Sequence, residues 1–155
     1  MDDSTSRSDP CWDTYPDTVI EFGDPVVLRI DLRLPLQPRQ IRSLARLGLG
    51  SSFAIVTACN PRGRRLSPAE NERRSRTLHE RISADAIVSL RADGVSPDGS
   101  HREQGLALAI DQATAIRIAA ASEQSAIFWF DGLRFNIVAV LETGAATVQL
   151  PHDPS

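Results

Sequence analysis

The chain has no lysine: all 17 of its basic residues are arginine. That absence removes Schiff-base chemistry, a phosphate-loop lysine and a Ser–Lys dyad. Arginine can clamp an anion through two parallel hydrogen bonds but does not serve as a proton-transfer base near neutral pH. Cysteine is scarce too. Cys11 and Cys59 are the whole complement, too few for a disulfide framework or a cysteine metal motif. Cys59 closes an apolar run and reads as a small buried hydrophobe rather than a nucleophile. His79, His101 and His152 are too widely spaced for a zinc pattern, so no metal and no cofactor is expected. No apolar run approaches the roughly 18 residues of a membrane span. The opening Met-Asp-Asp-Ser-Thr-Ser is polar and acidic, unlike a signal peptide. The expectation is a cytoplasmic protein with no membrane partner.

What is present fits one domain. The 155 residues, 41% hydrophobic and 24% charged, are enough to bury a core. The net charge of −3 is unevenly spread. Residues 1–24 carry seven carboxylates against Arg7, a balance of −6, and residues 62–81 carry seven arginines against three glutamates, a balance of +4. Either this is ordinary solvated charge, or the basic segment meets an anion for which the acidic tail competes.

Residues 1–16, with Pro10 and Pro16, are expected to be a poorly ordered acidic tail. Residues 17–142 then form a single α+β domain, and residues 143–155 a frayed tail. Thr18 to Phe22 and Val26 to Leu34 read as strands, the second alternating polar and apolar residues. Gln37 to Leu47 reads as a short helix. Phe53 to Cys59 is nearly all apolar, the pattern of an interior strand covered on both faces. Asn60-Pro61 ends it, and Arg62 to Arg65 form a turn.

Ser67-Pro68-Ala69-Glu70 is a helix start, with a capping serine, a proline at the first helical position and a glutamate completing a capping box. The helix should reach about Ser83. Helical spacing puts Asn71, Ser75, Leu78 and Ile82 on one face. Asn71 is thereby carried toward the core, either to pin the preceding loop or to touch a ligand. Ala86 to Leu90 reads as a strand, Arg91 to His101 as a turn, and Glu103 to Ile110 as the returning strand. Asp111 caps an alanine-rich helix reaching about Ser122, which could pack on a second copy of the chain. Ser125 to Phe130 and Leu133 to Leu141 form a hairpin across Asp131-Gly132. The order strand, helix, strand, strand, helix, strand, plus one more strand, is that of a ferredoxin-like split βαβ sandwich with an extra N-terminal strand pair.

Thr57-Ala58-x-Asn60-Pro61, Ser67-x-x-x-Asn71, Glu103 and Gln124-x-Ala126-Ile127-Phe128 resemble DUF3293, a bacterial domain of unknown function, over roughly residues 50–132. His101-Arg102 stands where that family has an aromatic residue before its glutamate, and no Pro-Ser follows Glu103. The resemblance implies a site pattern and no particular reaction.

Thr57, Asn60, Asn71, Glu103 and Gln124 come from strand ends and a helix start, and are expected to converge at one end of the sheet. Such hydrogen-bonding groups suit a polar ligand, unless they form a purely structural network. Arg62, Arg64 and Arg65 beside a helix N-terminus suit an anion. Together they suggest a nucleotide-like molecule or phosphorylated metabolite. As an enzyme, only Glu103 offers a general base, with Thr57 or water as nucleophile. His101, two residues away, would share its strand face. The alternative classes are nucleic-acid binding through the arginine segment 62–81 and a protein-interaction module.

Overall fold

The structure, a computed structural model, describes residues 12–141 and 147–151. Most of the acidic tail with Cys11, residues 142–146, and the end with His152 lie outside the described residues. Within the described part of the tail, Trp12–Asp17 forms a 3-10 turn. The strands are β1 (Val19–Phe22), β2 (Leu28–Asp31), β3 (Phe53–Thr57), β4 (Ser89–Val95), β5 (Arg102–Glu103), β6 (Gly105–Leu108), β7 (Ala126–Phe130), β8 (Phe135–Ala139) and β9 (Val148–Gln149). The helices are α1 (Pro38–Ala45), α2 (Pro68–Ala84) and α3 (Gln112–Ala121). The strands make one antiparallel sheet in the order β2-β1-β4-β6-β3-β7-β8-β9, with β5 paired to β4.

Strand β3 lies mid-sheet, and its alternation decides what each face receives. Ala54 and Val56 join Leu78 and Ile82 of α2 and Ala115, Ile118 and Ala119 of α3 in one buried cluster. Phe53 and Ile55 join Ile20, Phe22, Ile30, Leu44, Phe130, Phe135 and Leu150 in a second cluster on the other face. In a flat sheet β1 and β3, three spacings apart, would be about 14 Å from each other. Yet the rings of Phe22 and Phe53 meet edge to face at 6.0 Å, and Phe53 also contacts Phe130 at 5.2 Å and Phe135 at 6.0 Å. The sheet therefore curls around Phe53, and its concave face encloses the second cluster.

Several boundaries differ from the sequence expectation. The strand expected over Val26–Leu34 is only Leu28–Asp31; Val26, Val27 and Leu34 are exposed, although Ile30 and Leu32 are buried as the alternation requires. The first part of the expected turn Arg91–His101 is strand. Ala86 turns the chain with φ +53° and β4 runs on to Val95, so the hairpin loop is only Ser96–His101. Of the residues that suggest a turn, Pro97 and Gly99 fall in that loop but Gly94 lies within β4, whose charged residues sit on the outer face. There Asp93, 3% exposed, receives Arg91 Nη2 at 3.1 Å and Arg102 Nη1 at 3.0 Å, while Arg102 also donates to Glu21. A buried carboxylate so paired supports a strand where polarity alone argued against one. At the far end Val148–Gln149 pairs with β8, and Leu150 is buried.

Gly105 sits where β6 passes closest to its neighbours. A Cβ there would lie 2.7 Å from the Ala92 carbonyl oxygen and 3.0 Å from that of Val56, both main-chain atoms. Gly105→Ala should destabilise the domain by about 2 kcal/mol, read as a lower urea midpoint with an unchanged slope. In the hairpin loop, Asp98 accepts from the Ser100 hydroxyl at 2.7 Å, the Ser100 N–H at 3.0 Å and the Ser96 hydroxyl at 2.8 Å. Those bonds, the Ser100 hydroxyl first, hold its pKa down to about 2. A depressed carboxylate stabilises the fold above its unfolded value and loses that contribution as pH falls from about 4 through 2. The Asp98 carboxyl carbon should titrate near 2 by NMR, and Ser100→Ala should move the midpoint upward.

Candidate functional site

The loop after β3 is built on Asn60. Its φ of 47° and ψ of 62° lie in the left-handed region, which asparagine tolerates better than most residues. Its side chain is 92% shielded by the fold, its exposure being 8%. Oδ1 accepts from Leu66 N at 2.9 Å and from Asn71 Nδ2 at 2.9 Å, and Nδ2 donates to Glu103 Oε1 at 2.8 Å. Asn71 Oδ1 returns the contact by accepting from Asn60 N at 2.9 Å. The loop, the first turn of α2 and β5 thus meet on one amide. Helix α2 turns Asn71 inward as its spacing predicts, with Leu78 and Ile82 buried on the same side. Its Ser67 cap accepts from Glu70 N at 3.2 Å, but the Glu70 carboxylate accepts from the Ser67 hydroxyl, where the capping box called for a backbone N–H.

Thr57 and Gln124 flank this hub. The Thr57 hydroxyl donates to Gln104 O at 2.8 Å and accepts from Cys59 N at 3.1 Å, so it is committed to the loop. Gln124, 5% exposed, donates from Nε2 to Cys59 O at 3.0 Å and to Ser122 O at 3.2 Å. Arg74, which the sequence reading counted only as charge, bridges Ala58 O and Ser122 O at 2.7 Å each. Its only signal was its place on the helix, one turn beyond Asn71. Cys59 is buried, its Sγ beside Ser75 Oγ at 3.5 Å.

Beside the network the concave face holds a cavity of about 440 Å³. Its walls include Ile20, Ile55, Ala92, Ala126, Phe128 and Ile137, and one end carries Thr57, His101, Glu103 and Gln124. Strand alternation explains this grouping. Gln124, Ala126 and Phe128 are spaced by two and face one way, as do Ile55 and Thr57. His101 Nε2 lies 3.5 Å from Glu103 Oε1, as sharing a strand face required. The 3-10 turn supplies Thr14, Tyr15 and Asp17 to the rim, with Tyr15 packed edge to face on Phe128 at 6.2 Å. Arg33 also lines it but is held by Asp31 through bonds of 3.0 and 2.8 Å. The sequence does not single out Tyr15, Arg33 or Phe128 for the site: Tyr15 and Arg33 reach it only when the sheet curls, and Phe128, paired opposite Ile55, reads as core.

Asn60 and Asn71 are not among the cavity-lining residues; they stand behind Glu103 and tie it down. Arg62, Arg64 and Arg65 do not line the cavity either. Arg62 and Arg64 face Glu123 at 3.5 and 3.8 Å on the exposed surface, pairs of little energetic weight.

Asn60→Ala removes three side-chain bonds and places alanine in a left-handed conformation. It should destabilise the domain by about 3 kcal/mol, and Asn71→Ala by about 2 kcal/mol. Because the two amides share bonds, the double variant should lose less than the sum. Urea denaturation of the four proteins measures this; full additivity would contradict a shared network.

No curated protein and no solved structure matches the chain. The family model DUF3293, described as a protein of unknown function, matches residues 56–127. That span begins with the last turn-ward residues of β3, ends in β7, and contains Thr57, Asn60, Asn71, Glu103 and Gln124. The stretch from Val56 to Ile127 is thus the part of the chain that matches DUF3293.

Proposed function

We propose that the domain binds a small molecule in the concave-face cavity. The observation that supports this is a half-open space of about 440 Å³ with apolar walls that ends on a few polar groups held in place by bonds behind them. Small-molecule sites fall in this size range and combine apolar walls with a few oriented polar groups. The strand order β4-β6-β3-β7, with α2 and α3 packed on one face, supports reading the middle of the sheet as a ferredoxin-like sandwich. The N-terminal strands then extend that sandwich and close the cavity.

The anionic ligand expected from the arginine turn has less support. Arg62, Arg64 and Arg65 lie outside the cavity lining. At the start of α2, Glu70 N donates to Ser67 Oγ, and the preceding Leu66 N donates to Asn60. The nucleic-acid alternative rests on exposed arginines alone. Phe53, Phe130 and Phe135 are buried, and Phe128 and Trp129 pack against the two clusters, which leaves no aromatic platform for bases among them. The alanine-rich α3 buries Ala115, Ile118 and Ala119 within the domain, and the apolar residues it leaves exposed are only the small Ala113, Ala120 and Ala121.

Ala126 lines the cavity and has room on that side. Ala126→Leu should fill part of the space, keep the denaturation midpoint within about 1 kcal/mol, and abolish fragment binding seen by ligand-observed NMR with the wild type. Equal binding by both proteins would place the ligand elsewhere.

A further inference from the structure

We infer that the occupant of this cavity carries an N–H donor head, an ammonium or amidinium group, held by the Gln124 amide oxygen and the Glu103 carboxylate; the inference rests on the cavity being a binding site. The Gln124 amide has one possible orientation. Its nitrogen faces two carbonyl oxygens, Cys59 O and Ser122 O, and only an N–H group can do so. Oε1 therefore points the other way, and among the described residues no donor reaches it. Every sealed side-chain nitrogen or oxygen among the described residues has a partner, so this oxygen is open, and the residue lines the cavity.

Glu103 supplies the second acceptor. Oε1 takes the Asn60 amide hydrogen at 2.8 Å and lies 3.5 Å from His101 Nε2, and Oε2 has no partner among the described residues. Gln124 and Glu103 are tied to the consecutive residues Cys59 and Asn60, which sets both acceptors at the same end. Among the described residues the donors at that end turn elsewhere: the Thr57 hydroxyl goes to Gln104 O, the Gln124 amide to two carbonyls, and His101 Nε2 lies beside Glu103 Oε1 at 3.5 Å. The charges agree. Asp17 and Glu103 are carboxylates on the lining, and Arg33, the one arginine there among the described residues, is clamped by Asp31. An anion would meet the Glu103 carboxylate and the Gln124 oxygen head-on, whereas a cation with two or more N–H groups would satisfy both oxygens with charge-assisted bonds.

Three probes of one skeleton test this: benzylamine, benzyl alcohol and benzoate, titrated into the full chain by NMR at neutral pH. Benzylamine should bind at least about tenfold tighter than benzyl alcohol, benzoate should not bind, and the Gln124 side-chain amide and Ala126 should shift. Glu103→Gln keeps an oxygen for Asn60 but removes the charge, and should erase the preference for the amine. If benzyl alcohol or benzoate binds as well as benzylamine at these residues, the donor inference falls while the cavity remains a site. If none of the three perturbs the cavity residues, the proposed function falls and this inference with it.

Discussion

The Asn60 side chain is the constraint on which the site depends. It is a buried amide at a left-handed turn, and each of its bonds ends on a different part of the chain: Leu66 after the turn, Asn71 in α2 and Glu103 in β5. A buried amide left unpaired is costly, so the three partners are not independently movable. The loop leaving the central strand, the helix start and the hairpin carboxylate consequently hold one relative position. Arg74 and Gln124 add a second tie from the same loop to the end of α3. Much of this network is structural. It also fixes Glu103 and Gln124 in place, with one oxygen of each left over among the described residues.

The apolar packing makes the space those oxygens face. Phe53 gathers Phe22, Phe130 and Phe135, and the sheet bends around them. On the convex side α2 and α3 cover the middle strands with small and branched residues. On the concave side the aromatic cluster fills one end and leaves the other open beside Thr57 and Glu103. Close passage of β6 past β4 and β3 at Gly105 is part of the same curvature. The outer face of β1 and β4 is stabilised differently, by Asp93 held between two arginines and by Glu21 between Arg102 and Arg29. With no lysine in the chain, arginine's planar fork makes all these contacts, which suits paired and bifurcated geometries.

The order of helices and strands in the middle of the chain could be read from local signals. Asp111 caps α3, Ser67 and Pro68 open α2, and the run from Phe53 is buried as an interior strand should be. So could the inward turn of Asn71, because helical spacing is rigid, and the shared facing of Gln124, Ala126 and Phe128, because strand alternation is. The long β4 could not. Gly94 reads as a turn residue until the strands on either side pair with it and Asp24 and Arg102, from elsewhere in the chain, neutralise Arg91 and Asp93. The arginine turn misled for the opposite reason: charge in sequence says nothing about direction, and Arg62 and Arg64 turn toward Glu123 rather than toward the cavity.

Local chemistry thus dictated which residues become helix and strand, where the chain turns, and that a few amides and one carboxylate would face inward, since these follow from spacing, capping and backbone preference. Which inward groups bond to each other and which oxygens stay free was decided only when the sheet curled. Curvature comes from contacts between strands far apart in sequence, and it brought the 3-10 turn and β1 over the paired strands β3 and β7 around one cavity.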